Sequence, residues 1–523
     1  CDVEYATQQN AIRDYVEEYS HGAVNPDSAV NKAMYAICLD RFAEAGADLS
    51  QYNTINNARD VKSIVQALGY DAPVNLFGFS YGTQVALEVM RQHPEIVRSA
   101  VLDSVAPASL KLYENMGQPN VEAITSLLDL CAADGACNQA YPGLRQRFGD
   151  LLNALDEEPL QREDGSEVTT GAVVDALRQS DIRQGLGAYF PLMIWELEQG
   201  RTDTLDDIQA NRLPPPLPEP IDPTVLRYAG IDLPDDALFL IETALSLREE
   251  AQSLTDLASR LLRRGDDRVA EQQSLATPAG RFDKLFFEVL EGRPFDERLA
   301  LNRAYLAFPI EDDGLTVDGL QAFIRRNFDG YDASRLNLLA GRMDDEDVAA
   351  LAEIIFGKAR GYATYFNVSL ALNLIVCQEH IPFNTLEGAT EAFKELELPQ
   401  VARGKWGTVT DLLANCDLFP SGLEPEDFHE PVLSAIPTLV MIGTADTQTA
   451  GSWGVHAAET LENSQVVRFP ETGHGAIRFS QCARDIAAAF LNGPQATLDT
   501  SCTELLAPQF ELPPEQSDSS DRS

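Results

Sequence analysis

Residues 73–83 read Pro-Val-Asn-Leu-Phe-Gly-Phe-Ser-Tyr-Gly-Thr, and the helical pattern Gln84-Val85-Ala86-Leu87-Glu88-Val89-Met90 follows at once. A short apolar strand thus enters Gly78-Phe79-Ser80-Tyr81-Gly82 and leaves it as a helix. The spacing matters because strand and helix can pass this closely only if the residues two positions either side of the serine are small. Such a turn is strained. It pushes the Ser80 hydroxyl into the open and leaves the Tyr81 N–H at the helix start, facing any negative charge that develops there. An ordinary glycine-rich strand–helix turn is the plainer reading of the same residues. Val97–Asp103, with Ser99 to Leu102 at its centre, reads as the next strand. Strand, helix and strand then form the right-handed unit of a parallel sheet.

The chain of 523 residues exceeds one ordinary domain. Residues 4–19 and 27–45 have helical spacing, and Asn56–Leu68 reads as a helix closed by Gly69. From Ser104 to Pro431 long amphipathic helices dominate, among them Asp236–Arg264, Lys284–Glu291 and Glu346–Lys358. The proline-rich stretch Leu213–Pro223 can only be an extended loop. Strand signals return at Pro437–Gly443 and Ser464–Phe469, with helical patterns at Trp453–Leu461 and Ser480–Leu491. The expected division is a core, 1–107; a mainly helical cap, 108–430; the rest of the core, 431–506; and a disordered acidic tail, 507–523, beginning in earnest at Pro508.

A net charge of −43 repels phosphates and excludes nucleic acid as a partner. With few lysines among its basic residues, such a surface suits a saline medium that screens self-repulsion. No apolar run is long enough for a transmembrane segment. The eight cysteines contain no C-x-x-C pair and fall as neighbours along the chain. The expected disulfides are Cys1–Cys38, Cys131–Cys137, Cys377–Cys416 and Cys482–Cys502, which implies an oxidising compartment. Eight buried thiols in a cytosolic protein, or a lipidated Cys1, are the alternatives.

An exposed serine on such a turn needs a base and an orienting acid, both from loops at the carboxyl ends of strands. Of six histidines, His474 stands in such a loop, Pro470-Glu471-Thr472-Gly473-His474-Gly475, just beyond Ser464–Phe469. Asp446 follows Pro437–Gly443 in the same manner and is the expected acid; Asp103, at the end of Val97–Asp103, is its rival. Glu471 reads as solvated.

Asn53–Asn57, Ala58-Arg59-Asp60 and Leu68-Gly69 lead into Gly78-Phe79-Ser80-Tyr81-Gly82-Thr83. With Leu102-Asp103, Cys377-Gln378-Glu379 and the block Lys405–Cys502, the chain resembles the secreted tripeptidyl aminopeptidase and proline iminopeptidase group of serine peptidases, within the α/β hydrolases. The last block resembles their TAP-like domain. The resemblance covers most of residues 1–110 and 360–505 and fades through the cap. It implies an α/β-hydrolase fold with a large helical cap inserted between core strands. It implies release of amino-terminal residues or short peptides, with no cofactor or metal, outside the cell or in the periplasm. Mapped by motif, Ser80 is the nucleophile, His474 the base, Asp446 the acid and Tyr81 N–H an oxyanion donor. Glu379 is a candidate for pairing the substrate's free amine. Short peptides or small esters are the expected partners. A carboxylesterase with the same triad is the alternative, and a non-catalytic binding protein of this fold the third reading. One departure stands out. Nothing before residue 73 reads as a strand, and no His-Gly-Gly-Pro-Gly-like loop supplies a second oxyanion donor. The expectation is a fragment that lacks the first core strands.

Overall fold

The computed structural model describes residues 35–513 apart from 37, 163–164, 211, 214–276, 292, 295–296, 299, 303, 306–307, 309–314 and 423. The helices expected at 4–19 and Asp236–Arg264, residues 27–34 of the stretch expected to be helical at 27–45, most of the proline-rich loop, and Cys1 lie outside the described residues. The chain forms two compact units. One comprises Cys1–Ala47 and Leu217–Ala371, the other Asp48–Pro216 and Leu372–Ser523. The stretch expected to be a single cap is therefore shared between them.

The second unit holds a four-stranded sheet in the order β1-β2-β5-β6. Its strands are β1 (Val74–Phe79), β2 (Val97–Asp103), β5 (Thr438–Gly443) and β6 (Ser464–Phe469), and a small hairpin lies apart from it as β3 (Leu160–Gln161) and β4 (Glu167–Val168). All three pairings in the main sheet are parallel. Register aligns the strand ends: Phe79 lies opposite Asp103, Asp103 opposite Met441, and Gly443 opposite Phe469. The loops that carry Ser80, Ser104, Asp446 and His474 therefore leave from one edge of the sheet.

Side-chain alternation gives the sheet two buried faces. Ala100, Leu102, Val440 and Ile442 pack on Ala86, Leu87, Val89 and Met90 of the helix Tyr81–Gln92. Val101, Leu439, Met441, Val467 and Phe469 pack instead on Ile486, Ala487 and Phe490 of the helix Gln481–Asn492. Ser480 caps that helix by accepting from the Ala483 N–H. β5 is buried along its whole length, as a central strand must be. β1 forms an edge among the described residues, and its Phe77 is 49% exposed.

Helices of the same unit, including Gln118–Ala133, Leu144–Glu157, Thr170–Arg178 and Phe190–Leu197, close on Leu127, Phe148, Leu152 and Met193. The other unit packs Pro278–Glu291, Val317–Asn327 and Gly330–Ala340 around an aromatic core in which Phe286 stacks on Tyr305 at 3.8 Å. No described helix is long and apolar enough to cross a membrane.

Cys131–Cys137, Cys377–Cys416 and Cys482–Cys502 are joined as expected. Cys38 is also disulfide-bonded, while its expected partner lies outside the described residues. Three such bonds favour an oxidising compartment. The tail expected to be disordered from Pro508 is held as far as Glu511. The Glu511 N–H donates to the Ala188 carbonyl, its own carbonyl accepts from the Tyr141 hydroxyl at 2.7 Å, and Phe510 packs on the helical core. Composition alone reads Pro508–Pro513 as solvated; two hydrogen bonds to the Glu511 backbone and one half-buried ring decide otherwise.

Candidate active site

Ser80 sits between β1 and the helix Tyr81–Gln92 with φ 54° and ψ −125°, a conformation that non-glycine residues rarely adopt. The surroundings hold it there. The Ser80 N–H donates to the Asp103 carbonyl at 3.0 Å, and Thr83 Oγ1 donates to the Ser80 carbonyl at 2.6 Å. Gly78 has no alternative: a Cβ there would lie 2.5 Å from the Gly82 carbonyl oxygen and 2.9 Å from Thr83 Cα.

Three loops converge on this serine. The Ser80 hydroxyl lies 2.9 Å from His474 Nε2, and His474 Nδ1 lies 3.0 Å from each oxygen of Asp446. A carboxylate facing Nδ1 fixes the proton on that nitrogen and leaves Nε2 to accept from the serine. Asp446 is buried and also accepts from the N–H groups of Gln448 and Thr449 and from the Thr449 hydroxyl. Burial pushes its carboxyl upward, but the hydrogen bond and charge of His474 and the Thr449 donors outweigh that, holding it below the ordinary carboxylate value. The Phe79 ring packs against the imidazole at 4.9 Å between centroids.

The rival acid does different work. Asp103 is fully buried and accepts from the N–H groups of Ala476 and Ile477, each at 3.0 Å, so it holds the turn after His474 and not the ring. Burial lifts its carboxyl to about 6 despite those donors. Ser104, at φ 60°, accepts from the Gly475 N–H at 2.8 Å. Glu471 corrects the expectation of a solvated side chain: it is buried, stands at φ 51°, and accepts from the Gly187 N–H at 2.8 Å. Asp181 escaped the sequence reading altogether. It accepts from the His474 N–H at 2.6 Å, and no motif or local spacing marks it, since it comes from a helical stretch 293 residues away.

Tyr81 opens the elbow helix, and its hydroxyl lies 2.8 Å from both Thr54 Oγ1 and Asn57 Nδ2. Glu379 sits behind this pair. One oxygen accepts from the Thr54 N–H; the other accepts from Thr54 Oγ1 at 2.7 Å and from Gln84 Nε2 at 2.9 Å. Glu379 is 1% exposed and is not joined to the Ser80–His474–Asp446 chain. In this structure its oxygens accept from Thr54 and Gln84, which support the residues behind Tyr81. The motif beside Cys377 located this carboxylate correctly in the chain but said nothing of its burial.

Burial pushes Glu379 to about 7, against the Thr54 donors, and Glu471 to about 7, against the Gly187 and Gly185 N–H groups. The unfolded chain releases these protons near the ordinary glutamate value, so between about 4.5 and about 7 the native state binds more protons than the unfolded one. Stability from these groups is full below that window and is lost as pH rises through it. Thermal unfolding should therefore come at lower temperature at about pH 8 than at about pH 5. The Glu379→Gln, Glu471→Gln double variant should show a visibly flatter dependence. A double variant with the wild-type slope would show that neither carboxyl titrates there.

Residues 36–128 match the family described as alpha/beta hydrolase fold, and residues 405–502 match the one described as TAP-like protein. No curated protein gives a significant match. The parallel sheet, the strained serine turn between β1 and its helix, and these two matches at either end of the sheet's strands agree: the chain is an α/β hydrolase with a TAP-like C-terminal domain.

Proposed function

We propose that this hydrolase is a secreted or periplasmic serine exopeptidase that releases residues or short peptides from free amino termini through an acyl-enzyme. The observation that carries the reading is the continuous hydrogen-bonded chain from Ser80 through His474 to Asp446. In the first half-reaction Ser80 Oγ attacks the scissile carbonyl while its proton passes to His474 Nε2. The tetrahedral oxyanion accepts from the Tyr81 N–H, which the elbow fixes in advance. Collapse breaks the C–N bond, and the leaving amine takes the proton from His474. Water then repeats the sequence in reverse and frees Ser80 and the carboxylic acid. Asp446 keeps the imidazole in the required tautomer and stabilises its charged form. The TAP-like domain supports peptides as substrates over esters.

A panel of aminoacyl and tripeptidyl anilides, each with free and blocked amines, beside short-chain nitrophenyl esters, tests this. Cleavage of free-amine anilides that stops in Ser80→Ala is expected. Cleavage of esters alone would make the protein an esterase. Failure of wild-type protein to label with a fluorophosphonate would remove the serine mechanism.

A further inference from the structure

Two buried carboxylates at the site, Asp181 and Glu471, take no part in the chemistry above, and they face in opposite directions across the same contact. Asp181 ends the 3-10 turn Gln179–Asp181, just after the helix Thr170–Arg178. Its Oδ1 accepts from the His474 N–H at 2.6 Å. Its Oδ2 accepts from Thr447 Oγ1 and Gln448 Nε2, both at 3.0 Å. Thr447 and Gln448 directly follow Asp446, so one carboxylate from the helical region ties the loop bearing the imidazole to the loop bearing its acid. Glu471, within the imidazole loop, reaches the other way to the N–H groups of Gly187 and Gly185, in and beside the turn Leu186–Tyr189.

The backbones are fitted to each other at this seam. A Cβ on Gly473 would overlap the carbonyl oxygen of Asp181. A Cβ on Gly187 would lie 2.6 Å from Leu127 Cδ2 and 2.9 Å from Glu471 Oε1. Each segment thus supplies a carboxylate to the other's backbone donors, and each carries a glycine where the other presses. Hydrogen bonds from backbone N–H to carboxylate are short and strong, and an N–H left without its acceptor in a buried site is costly.

We propose that Asp181 and Glu471 form a reciprocal clamp by which the helical segment 179–187 sets the position of the His474 imidazole, Asp181 being a positioning residue of the site. This rests on the reading of Ser80 and His474 as nucleophile and base. The clamp makes proton transfer at Ser80 depend on how the helical segment is seated, because the loop that carries the base is held from both sides.

The test compares Asp181→Ala, Asp181→Asn and Glu471→Ala in the full chain. Asparagine retains an oxygen to accept from the His474 N–H; alanine does not. In Asp181→Ala, kcat and the rate of fluorophosphonate labelling are expected to fall by about 10²-fold, as for a displaced catalytic group, with KM nearly unchanged. Asp181→Asn should recover most of that loss. Hydrogen exchange at the amides of residues 472–476 gives a readout that needs no turnover: exchange should quicken in Asp181→Ala and Glu471→Ala and stay slow in Asp181→Asn. Wild-type exchange in Asp181→Ala, or an Asp181→Asn variant no better than Asp181→Ala in kcat, overturns the clamp. A wild-type protein that shows the exchange pattern but never labels keeps the clamp and defeats only the serine mechanism.

Discussion

Alanine at Ser80 is expected to lower kcat on whichever substrate the protein cleaves by on the order of 10⁶-fold, and alanine at His474 to do the same. The two losses should not add. Without the hydroxyl the imidazole has nothing to deprotonate, and without the imidazole the hydroxyl stays protonated, so the double variant should be no slower than either single one. Asp446→Asn should cost about 10⁴-fold, since an amide can donate to Nδ1 and so favour the tautomer with the proton on the wrong nitrogen. The ordering of these effects follows from the distances. Ser80 and Asp446 each touch the ring directly, at 2.9 Å and 3.0 Å. Single-turnover kinetics on purified variants check the series. Additive losses in the double variant would mean that Ser80 and His474 serve separate steps.

A single methyl group is expected to slow the reaction from outside the Ser80–His474–Asp446 chain. In Gly473→Ala the added carbon would overlap the Asp181 carbonyl oxygen, a backbone atom that cannot turn aside. The loop must shift, and His474 is the next residue. A displacement of about 1 Å at a catalytic group costs on the order of 10²-fold in rate, and the forced contact should also destabilise the fold by about 1–3 kcal/mol. Gly407→Ala is the matched control. A Cβ at Gly407 meets nothing within 4 Å, and the position lies in the helix Trp406–Asn415, where alanine is the better helix former. Wild-type kcat in Gly473→Ala, with wild-type thermal stability, would show that the seam is loose enough to absorb the methyl group.

Much of this site was legible because its members obey a local rule. Ser80, Asp446 and His474 each follow a short apolar strand, and in a parallel sheet the ends of such strands gather at one edge. The same rule made Asp103 a rival to Asp446, and rightly so in placement, since β2 and β5 are neighbours. Only the direction of its carboxylate, toward Ala476 and Ile477, separates the two roles. Asp181 obeys no local rule: its contact with His474 arises from how a helical segment folds back over the sheet. Glu471 looks like a surface glutamate until tertiary packing removes its solvent. Fold class was readable in the same way, through strand–turn–helix alternation. The partition of the helical stretch into two units was not, because amphipathic helices advertise a buried face without naming what buries it.

The strand order carries a consequence for how the protein is made. β2 must pair with β5, yet the chain between Asp103 and Thr438 has to be synthesised before that partner exists. Pairings this distant in sequence fold slowly and leave strand edges uncovered meanwhile. The emerging polypeptide carries Ser80 early, with neither His474 nor Asp446 to act on it. On the proposed mechanism it stays silent until the last sixth of the chain closes the sheet, so hydrolytic competence and completion of the sheet would arrive together.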